Sequence, residues 1–316
     1  MIITLTASFS SCVKETGDSG IIKVVGTVFP QYDFARAVGG NRVECEMLMS
    51  PGTDSHSYTG DNPSDIMKIQ KSDLFIFVGG ETDESWVEKV LDTIENSGET
   101  PPKTIALTDV CSVIEESDVG IMENDAHEGH EEHGEHEESE YDEHVWTSLS
   151  NCVQALSAIK DALCELDPDG RAYYEQNAKE YTDKLLELDR SFDELFDGKE
   201  NITLVFADRF PFRYFAEDHS LECYAAFNGC ASQSEPSPTT IVKLCNIVTE
   251  KNLSYIFYTE TSQSAVPEVM EKATGATALM LHSCHTVSEN QLKSGVTFLE
   301  LWQKNYDTLE KAFKND

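Results

Sequence analysis

The sequence is poor in positive charge. Its 316 residues contain 23 Lys and Arg against 58 Asp and Glu, which gives a formal net charge of −35. Such a surface repels phosphate groups, so nucleic acids and anionic membrane surfaces are disfavoured as partners, whereas cations are favoured. The imbalance is also local, because residues 104–159 contain fifteen acidic residues and no Lys or Arg.

Long apolar runs and several diagnostic motifs are absent. No stretch approaches the roughly 18 apolar residues that span a bilayer. None of the nine cysteines forms a CxxC pair, which argues against a thiol redox motif and a Cys-based zinc knuckle. The sequence has neither HExxH nor a nucleophile elbow, which weighs against hydrolytic enzymes. The hydrophobic content of 40% is nevertheless sufficient for folded cores.

The N-terminus resembles a bacterial lipoprotein signal. The segment MIITLTASFSS ends in small residues before Cys12, which is the position that such signals acylate. No Lys or Arg precedes Cys12, so either Met1 is not the true start of the chain or this segment is an ordinary N-terminus. The remaining eight cysteines form an even number, and Cys230 and Cys284 both follow predicted strands of one sheet. We expect these two to form a disulfide, against the alternative of two independent buried thiols.

Strand and helix patterns alternate from Ile21 onwards, which predicts an α/β fold of two lobes, each a four-stranded, largely parallel sheet with helices. Between the two sets lies a predicted helix from Pro168 to about Phe196, with apolar residues at steps of three and four. We therefore predict a signal and linker over 1–20, an N-terminal lobe over 21–167 with a His-rich acidic loop over 111–142, a linking helix over 168–197, and a C-terminal lobe over 198–316.

Histidines follow predicted strand ends in both lobes. His56 lies in PGTDSHSYTG, His144 in DEHVWTSLSN, and both His282 and His285 in LMLHSCH. Ligands of open α/β sheets bind at the carboxyl ends of the strands. We therefore predict that His56, His144 and His282 bind one metal ion, with His285 as the alternative to His282. Three imidazoles suit zinc and other late transition metals.

The acidic loop contains a second group of histidines. The segment HEGHEEHGEHEE spaces them three residues apart among carboxylates, at His127, His130, His133 and His136. Acidic runs alone are usually solvated tails, but histidine-rich tracts bind metals. We expect this loop to collect metal ions weakly at several positions beside the tighter site.

Several segments resemble a known family. PGTDSHSY resembles the PGxxPHxY segment of the metal-receptor lipoproteins of zinc and manganese ABC importers, and DEHVWTSLSN resembles their DPHxWLDP segment. The resemblance extends from Ile21 to the C-terminus and includes QSEPSP, YTE before Thr261, and Asp167-Pro168 followed by YYEQNAKEY. It implies two four-stranded lobes joined by a long helix, metal held between the lobes, and His56 and His144 as ligands.

Two positions depart from the family pattern. In FADRFPFRYF, either Ala207 or Arg209 occupies the position of a third family His, and neither residue is a metal ligand. Where the family has a carboxylate after the last strand, this chain has His282. Asp208 is the nearest candidate for a fourth ligand, with an ion pair to Arg209 as its alternative role.

The function predicted from these features is that of an extracytoplasmic, lipid-anchored and monomeric receptor that delivers Zn²⁺ to the membrane permease of an ABC importer. Mn²⁺ is less favoured because it prefers oxygen ligands. A zinc-dependent hydrolase is the first alternative, because three His ligands with an open position also describe hydrolytic zinc. The second alternative, an acidic surface adhesion lipoprotein, does not explain the histidines at the strand ends.

Overall fold

The computed structural model describes residues 20–53, 58–60, 62–117, 120–121, 141–229, 236–262 and 265–314. Several residues singled out in the sequence lie outside these ranges: Cys12, His56, His127, His130, His133, His136 and Cys230.

The first half of the chain forms a four-stranded sheet in which every strand pair is parallel. Its strand order is β2-β1-β3-β4, and the strands are β1 (Ile22–Gly26), β2 (Val43–Met47), β3 (Leu74–Phe77) and β4 (Lys103–Ala106). Apolar residues fill the central strands on both faces because helices cover both sides of a parallel sheet. These helices are α1 (Phe29–Gly39), α2 (Pro63–Gln70), α3 (Glu81–Asn96), α4 (Leu107–Val110) and α5 (Leu149–Leu166).

The second half repeats this arrangement, again with parallel pairs only, in the order β6-β5-β7-β8. Its strands are β5 (Thr203–Phe210), β6 (Glu222–Asn228), β7 (Tyr255–Thr259) and β8 (Thr277–Leu281), and its helices are α7 (Arg213–Asp218), α8 (Pro238–Glu250), α9 (Val266–Thr274), α10 (Glu289–Ser294) and α11 (Phe298–Phe313). In each sheet the strand order reverses beside the first strand, which is where open α/β sheets bind ligands. The predicted fold class is confirmed.

The long helix α6 (Arg171–Phe196) joins the two lobes. Its 26 residues measure about 39 Å at 1.5 Å per residue. The buried stripe contains Tyr174, Ala178, Leu185, Leu188, Phe192 and Phe196, and this stripe packs against α1, α5 and α11. The helix begins three residues later than the sequence pattern predicts, because residues 168–170 form a 3₁₀ turn. None of the described helices is both long and apolar enough to cross a membrane.

A partly buried ion pair connects the lobes beside α6. Asp33 on α1 is 1% exposed, and its carboxylate accepts hydrogen bonds from the Tyr181 hydroxyl (2.9 Å) and from the backbone N–H of Phe298 (2.8 Å). Arg36 pairs with the same carboxylate at 2.5 Å and also donates to the carbonyl of Val296 at 2.7 Å. We call these five residues the Asp33 joint. Burial raises the pKa of Asp33, whereas the Phe298 and Arg36 contacts oppose that rise.

Two elements differ from the sequence prediction. The sequence indicates that β5 ends near Phe206, but the strand continues to Phe210 through a register shift between Phe206 and Arg209. Asp208 and Arg209 therefore lie within a strand. Helix α10, which the pattern does not predict, precedes the closing helix and has a capping box formed by Ser288 and Gln291.

The predicted disulfide is wrong, because Cys284 is a free thiol. Its side chain is fully buried, and the Sγ atom lies 3.7 Å from the carbonyl oxygen of His282 in its own turn. Burial raises the pKa of this thiol well above its usual value, so it stays protonated. Cys284 is therefore a small apolar side chain of the core.

Candidate metal centre

One histidine from each lobe reaches the cleft where the two sheets present their carboxyl ends. His144 immediately precedes a 3₁₀ turn that leads into α5, and His285 follows β8. Their ring centroids lie 5.9 Å apart, with an edge-to-face angle of 83°. Both are buried, at 1% exposure for His144 and 8% for His285. The structure therefore brings two imidazoles from opposite lobes into contact.

Asp142 orients the ring of His144. One carboxylate oxygen, Oδ1, accepts the backbone N–H of His144 at 2.8 Å and lies 3.0 Å from ring atom Nδ1. This contact favours the tautomer that carries its proton at Nδ1 and its lone pair at Nε2. Carboxylates that hold a metal-binding imidazole in this way also raise its basicity as a ligand. Asp142 stands two residues before the histidine, but its role follows from this contact and not from the sequence pattern.

A tight turn places His285. Cys284 has a φ of 62°, which is the left-handed region, and the turn is fixed from both lobes. Glu260, just after β7, accepts hydrogen bonds from the backbone N–H and the hydroxyl of Ser283, both at 2.7 Å. From the N-terminal lobe, Trp146 Nε1 donates to the carbonyl of Ser283 at 2.9 Å. The Trp146 ring contacts both histidine rings, at 5.4 Å from His144 and 5.5 Å from His285.

His282 lies on the other side of this turn. Its Nδ1 accepts the backbone N–H of Cys284 at 3.0 Å, and its Nε2 lies 3.4 Å from the side-chain nitrogen of Gln291. Asn305 bonds both backbone groups of His282. Burial lowers the pKa of His282, and the nearby carboxylate of Glu260 only partly opposes this. His285, and not His282, is the residue that the structure places beside His144.

Asp208 and Arg209 occupy different environments. Asp208 is 8% exposed, and its Oδ2 accepts the hydroxyl of Thr259 at 2.8 Å, which ties β5 to β7. Arg209 lines the cleft. The predicted fourth ligand is therefore bonded within the sheet, whereas the side chain of Arg209 lies at the cleft.

The cleft encloses a cavity of about 20 Å³. Its walls are formed by Thr53, His144, Arg209, Pro211, Gly229, Thr259, Thr261, Ser283 and His285. This volume accommodates about one water molecule or one ion. A Cβ atom on Gly229 would lie 2.7 Å from Cε1 of His144, so this glycine makes room for the ring.

Two imidazoles alone do not complete a zinc site. Among the residues that the structure describes, no three His, Cys, Asp or Glu side chains converge on one point. His56, the predicted partner of His144, lies in the gap at 54–57. The described residues therefore supply one ligand candidate from each lobe.

Two parallel α/β lobes joined by a long helix, with a small cleft between their strand ends, have the architecture of a solute-binding protein. Residues 24–312 match the family described as zinc-uptake complex component A, periplasmic, and the chain belongs to this family. Its members are non-enzymatic transport receptors, as the sequence analysis predicted.

Individual relatives agree with this assignment. The chain is 28% identical over 318 aligned positions to the zinc-binding lipoprotein AdcA of Streptococcus pneumoniae, covering 99% of this chain but 60% of that protein. It is also 28% identical to the high-affinity zinc uptake system protein ZnuA of Bacillus subtilis, covering 98% and 94% of the two chains. The Zn(II)-bound ZnuA-like domain of Streptococcus pneumoniae AdcA superposes with a TM-score of 0.74 at 26% identity over 93% of this chain and 99% of that domain. The chain thus spans about three fifths of the streptococcal relative.

Proposed function

We propose that this protein is the extracytoplasmic receptor of a zinc ABC importer, which binds Zn²⁺ between its lobes and passes it to a membrane permease. The contact between His144 and His285 across the cleft carries the proposal. Imidazole nitrogen is a preferred zinc ligand, and ligands from both lobes make ion binding depend on the closed arrangement. Membership of the zinc-uptake family and the zinc-bound relative support the choice of metal.

The ligand set that we propose is His56, His144 and His285. His285 takes the place of the third imidazole of the family pattern, which neither Ala207 nor Arg209 provides, since it lies in the C-terminal lobe and faces His144. His282 and Asp208 were the ligands expected from the sequence, but each is bonded to neighbours within its own lobe. We therefore assign them supporting roles.

The cavity also weighs against the hydrolase alternative. A zinc hydrolase needs room beside its metal for a substrate and a water molecule. The cavity of about 20 Å³ has room for one small species. A binding protein that encloses a bare ion needs no more.

The remaining parts of the proposal concern residues outside the described ranges. We propose that Cys12 carries a lipid anchor and that His127, His130, His133 and His136 collect zinc weakly near the cleft. Similarity to a zinc-binding lipoprotein and to a zinc uptake system protein supports the anchor and the cargo. We further propose that the receptor acts as a monomer.

Zinc titration of the purified full chain tests the function. We expect one tight Zn²⁺ equivalent, followed by weaker equivalents that disappear when the four loop histidines are changed to Ser. Manganese should not compete at equal concentration, because imidazole ligands favour zinc. A chain without a tight equivalent, or one whose tight equivalent disappears with the loop histidines, would contradict the proposal.

A further inference from the structure

Two backbone segments flank the His-rich region, and both lie against the C-terminal lobe. We call them the loop base. Its first segment comprises the described residues 112–117 and 120–121, and its second segment comprises residues 141–143. Within it, the N–H of Asp142 donates to the carbonyl of Ile114 at 3.1 Å, and Glu115 forms an antiparallel bridge with Tyr141. The loop base therefore ends at residue 143, immediately before the candidate ligand His144.

The hydroxyl of Tyr214 connects both segments of the loop base. Tyr214 lies on α7 in the C-terminal lobe and is 3% exposed. Its hydroxyl donates to the carbonyl of Asp142 at 2.5 Å and accepts the N–H of Ile114 at 3.3 Å. Burial raises the pKa of this phenol, so it remains a protonated donor. One side chain of the C-terminal lobe thus fixes the residue whose carboxylate orients His144.

Further hydrogen bonds hold the first segment of the loop base against the C-terminal lobe. Arg213 Nη1 donates to the carbonyl of Ser117 at 3.2 Å, and the N–H of Ala225 on β6 donates to the carbonyl of Gly120 at 3.0 Å. Gly120 has a φ of +83°, and a Cβ atom there would lie 2.1 Å from the carbonyl oxygen of Cys223. Only glycine allows the chain to approach β6 this closely.

We propose that Tyr214 is a positioning residue for zinc capture, which holds Asp142, and through it His144, from the opposite lobe. The inference rests on the proposed function and concerns the same site. Its consequence is that separation of the lobes removes His285 and also releases the turn that orients His144. The geometry of one ligand then depends on the lobe that provides the other, so zinc affinity falls steeply when the lobes part.

The test is Tyr214→Phe in the full chain, which removes the hydroxyl and keeps the ring. Loss of outer contacts to a metal ligand typically weakens binding about 10–100-fold, and we expect about a tenfold weaker Zn²⁺ dissociation constant with faster release to a chelator. The visible spectrum of bound Co²⁺, which reports ligand geometry, should change as well. A purely structural hydroxyl would leave this spectrum unchanged.

The matched control is Tyr174→Phe. Tyr174 is also a buried tyrosine with one hydrogen bond to a carboxylate, at 2.8 Å to Asp167, but it lies on α6 away from the cleft. It should leave zinc affinity and the Co²⁺ spectrum unchanged. Replacement of Tyr214 by p-aminophenylalanine restores a hydrogen-bond donor and should restore zinc affinity. If the Phe variant does not fold, this replacement provides the test instead.

This inference is overturned if Tyr214→Phe keeps the wild-type zinc affinity and Co²⁺ spectrum, or if Tyr174→Phe loses as much zinc affinity as Tyr214→Phe. Either result leaves the proposed function standing. A wild-type chain without a tight zinc equivalent would overturn both.

Discussion

The lobes meet at two polar places that are built differently. In the Asp33 joint the charged groups bond one another, because the carboxylate has three donors and Arg36 also reaches a backbone carbonyl. In the cleft, His144 and His285 meet edge to face around an ion-sized cavity. The Asp33 joint has no cavity between its charged groups, whereas the two cleft histidines line a cavity that accommodates an ion. The Asp33 joint should determine the stability of the fold, and the cleft should determine the affinity for zinc.

The largest expected effect is at the joint. Asp33→Ala removes the acceptor of the buried Phe298 N–H and of the Tyr181 hydroxyl, and at about 1–3 kcal/mol for each donor left unpaired the metal-free protein should lose about 3 kcal/mol of unfolding free energy. Zinc affinity of the folded variant should change little. Urea unfolding measures the loss. Asp161→Ala, at an exposed carboxylate, is the control and should stay within about 0.5 kcal/mol. If Asp33→Ala lowers the unfolding free energy no more than the control does, the hydrogen bonds of the joint do not contribute to stability.

The next effect distinguishes the two histidines of the β8 turn. His285→Ala should weaken zinc binding at least about a hundredfold, since loss of a ligand exceeds the cost of losing an outer contact. His282→Ala should weaken it much less, because both ring nitrogens already face protein groups. Calorimetry of the two variants side by side measures the difference. The reverse ranking would restore His282 as the ligand.

A smaller effect is expected at Gly229. In Gly229→Ala the new methyl group would lie 2.7 Å from Cε1 and 3.0 Å from Nδ1 of His144, so the ring must move. We expect about tenfold weaker zinc binding, comparable to the loss of an outer contact. Gly98→Ala is the control: it strains a backbone at φ +87° but meets no atom within 4 Å. It should lower stability and leave affinity unchanged. Equal affinities in both variants would argue against a close approach to His144.

The smallest effect concerns pH. Burial lowers the pKa of His282 in the folded protein below the ordinary 6.5, so the folded state binds fewer protons than the unfolded state. The contribution of His282 is therefore present above pH 6.5 and decreases as pH falls towards the folded pKa. In metal-free protein, His282→Gln should flatten the decline of unfolding free energy between about pH 6.5 and 5. An unchanged slope would show that His282 does not contribute.

Sequence patterns predicted the repeated sheets because strand periodicity and helix caps are local. They also directed attention to His144 and to the turn after β8. They did not distinguish His282 from His285, since that choice depends on the left-handed backbone of Cys284. Contacts from Glu260 and Trp146, distant in sequence, fix this turn. No local pattern contains that information.

The same limitation applies to β5. The pattern ends the strand at Phe206, because Asp208 and Arg209 are polar. Pairing with β6 nevertheless continues past a register shift, and the Thr259 hydroxyl satisfies Asp208. Polar residues stay inside a buried strand when a neighbour bonds them, and this neighbour lies 51 positions away.

The contact between Asp33 and Phe298 has a consequence for how the chain folds. The two residues are 265 positions apart, so Asp33 on α1 receives this N–H from the first residue of α11, and these are the first and last helices of the described residues. Until α11 forms, burying Asp33 leaves its carboxylate short of partners. The last donor to Asp33 therefore becomes available only when the end of the chain is in place, and contacts of such long sequence separation slow folding. We expect a slow final phase in which α11 docks on α1, and a chain cut before α11 should leave the Asp33 carboxylate with only its Arg36 and Tyr181 donors.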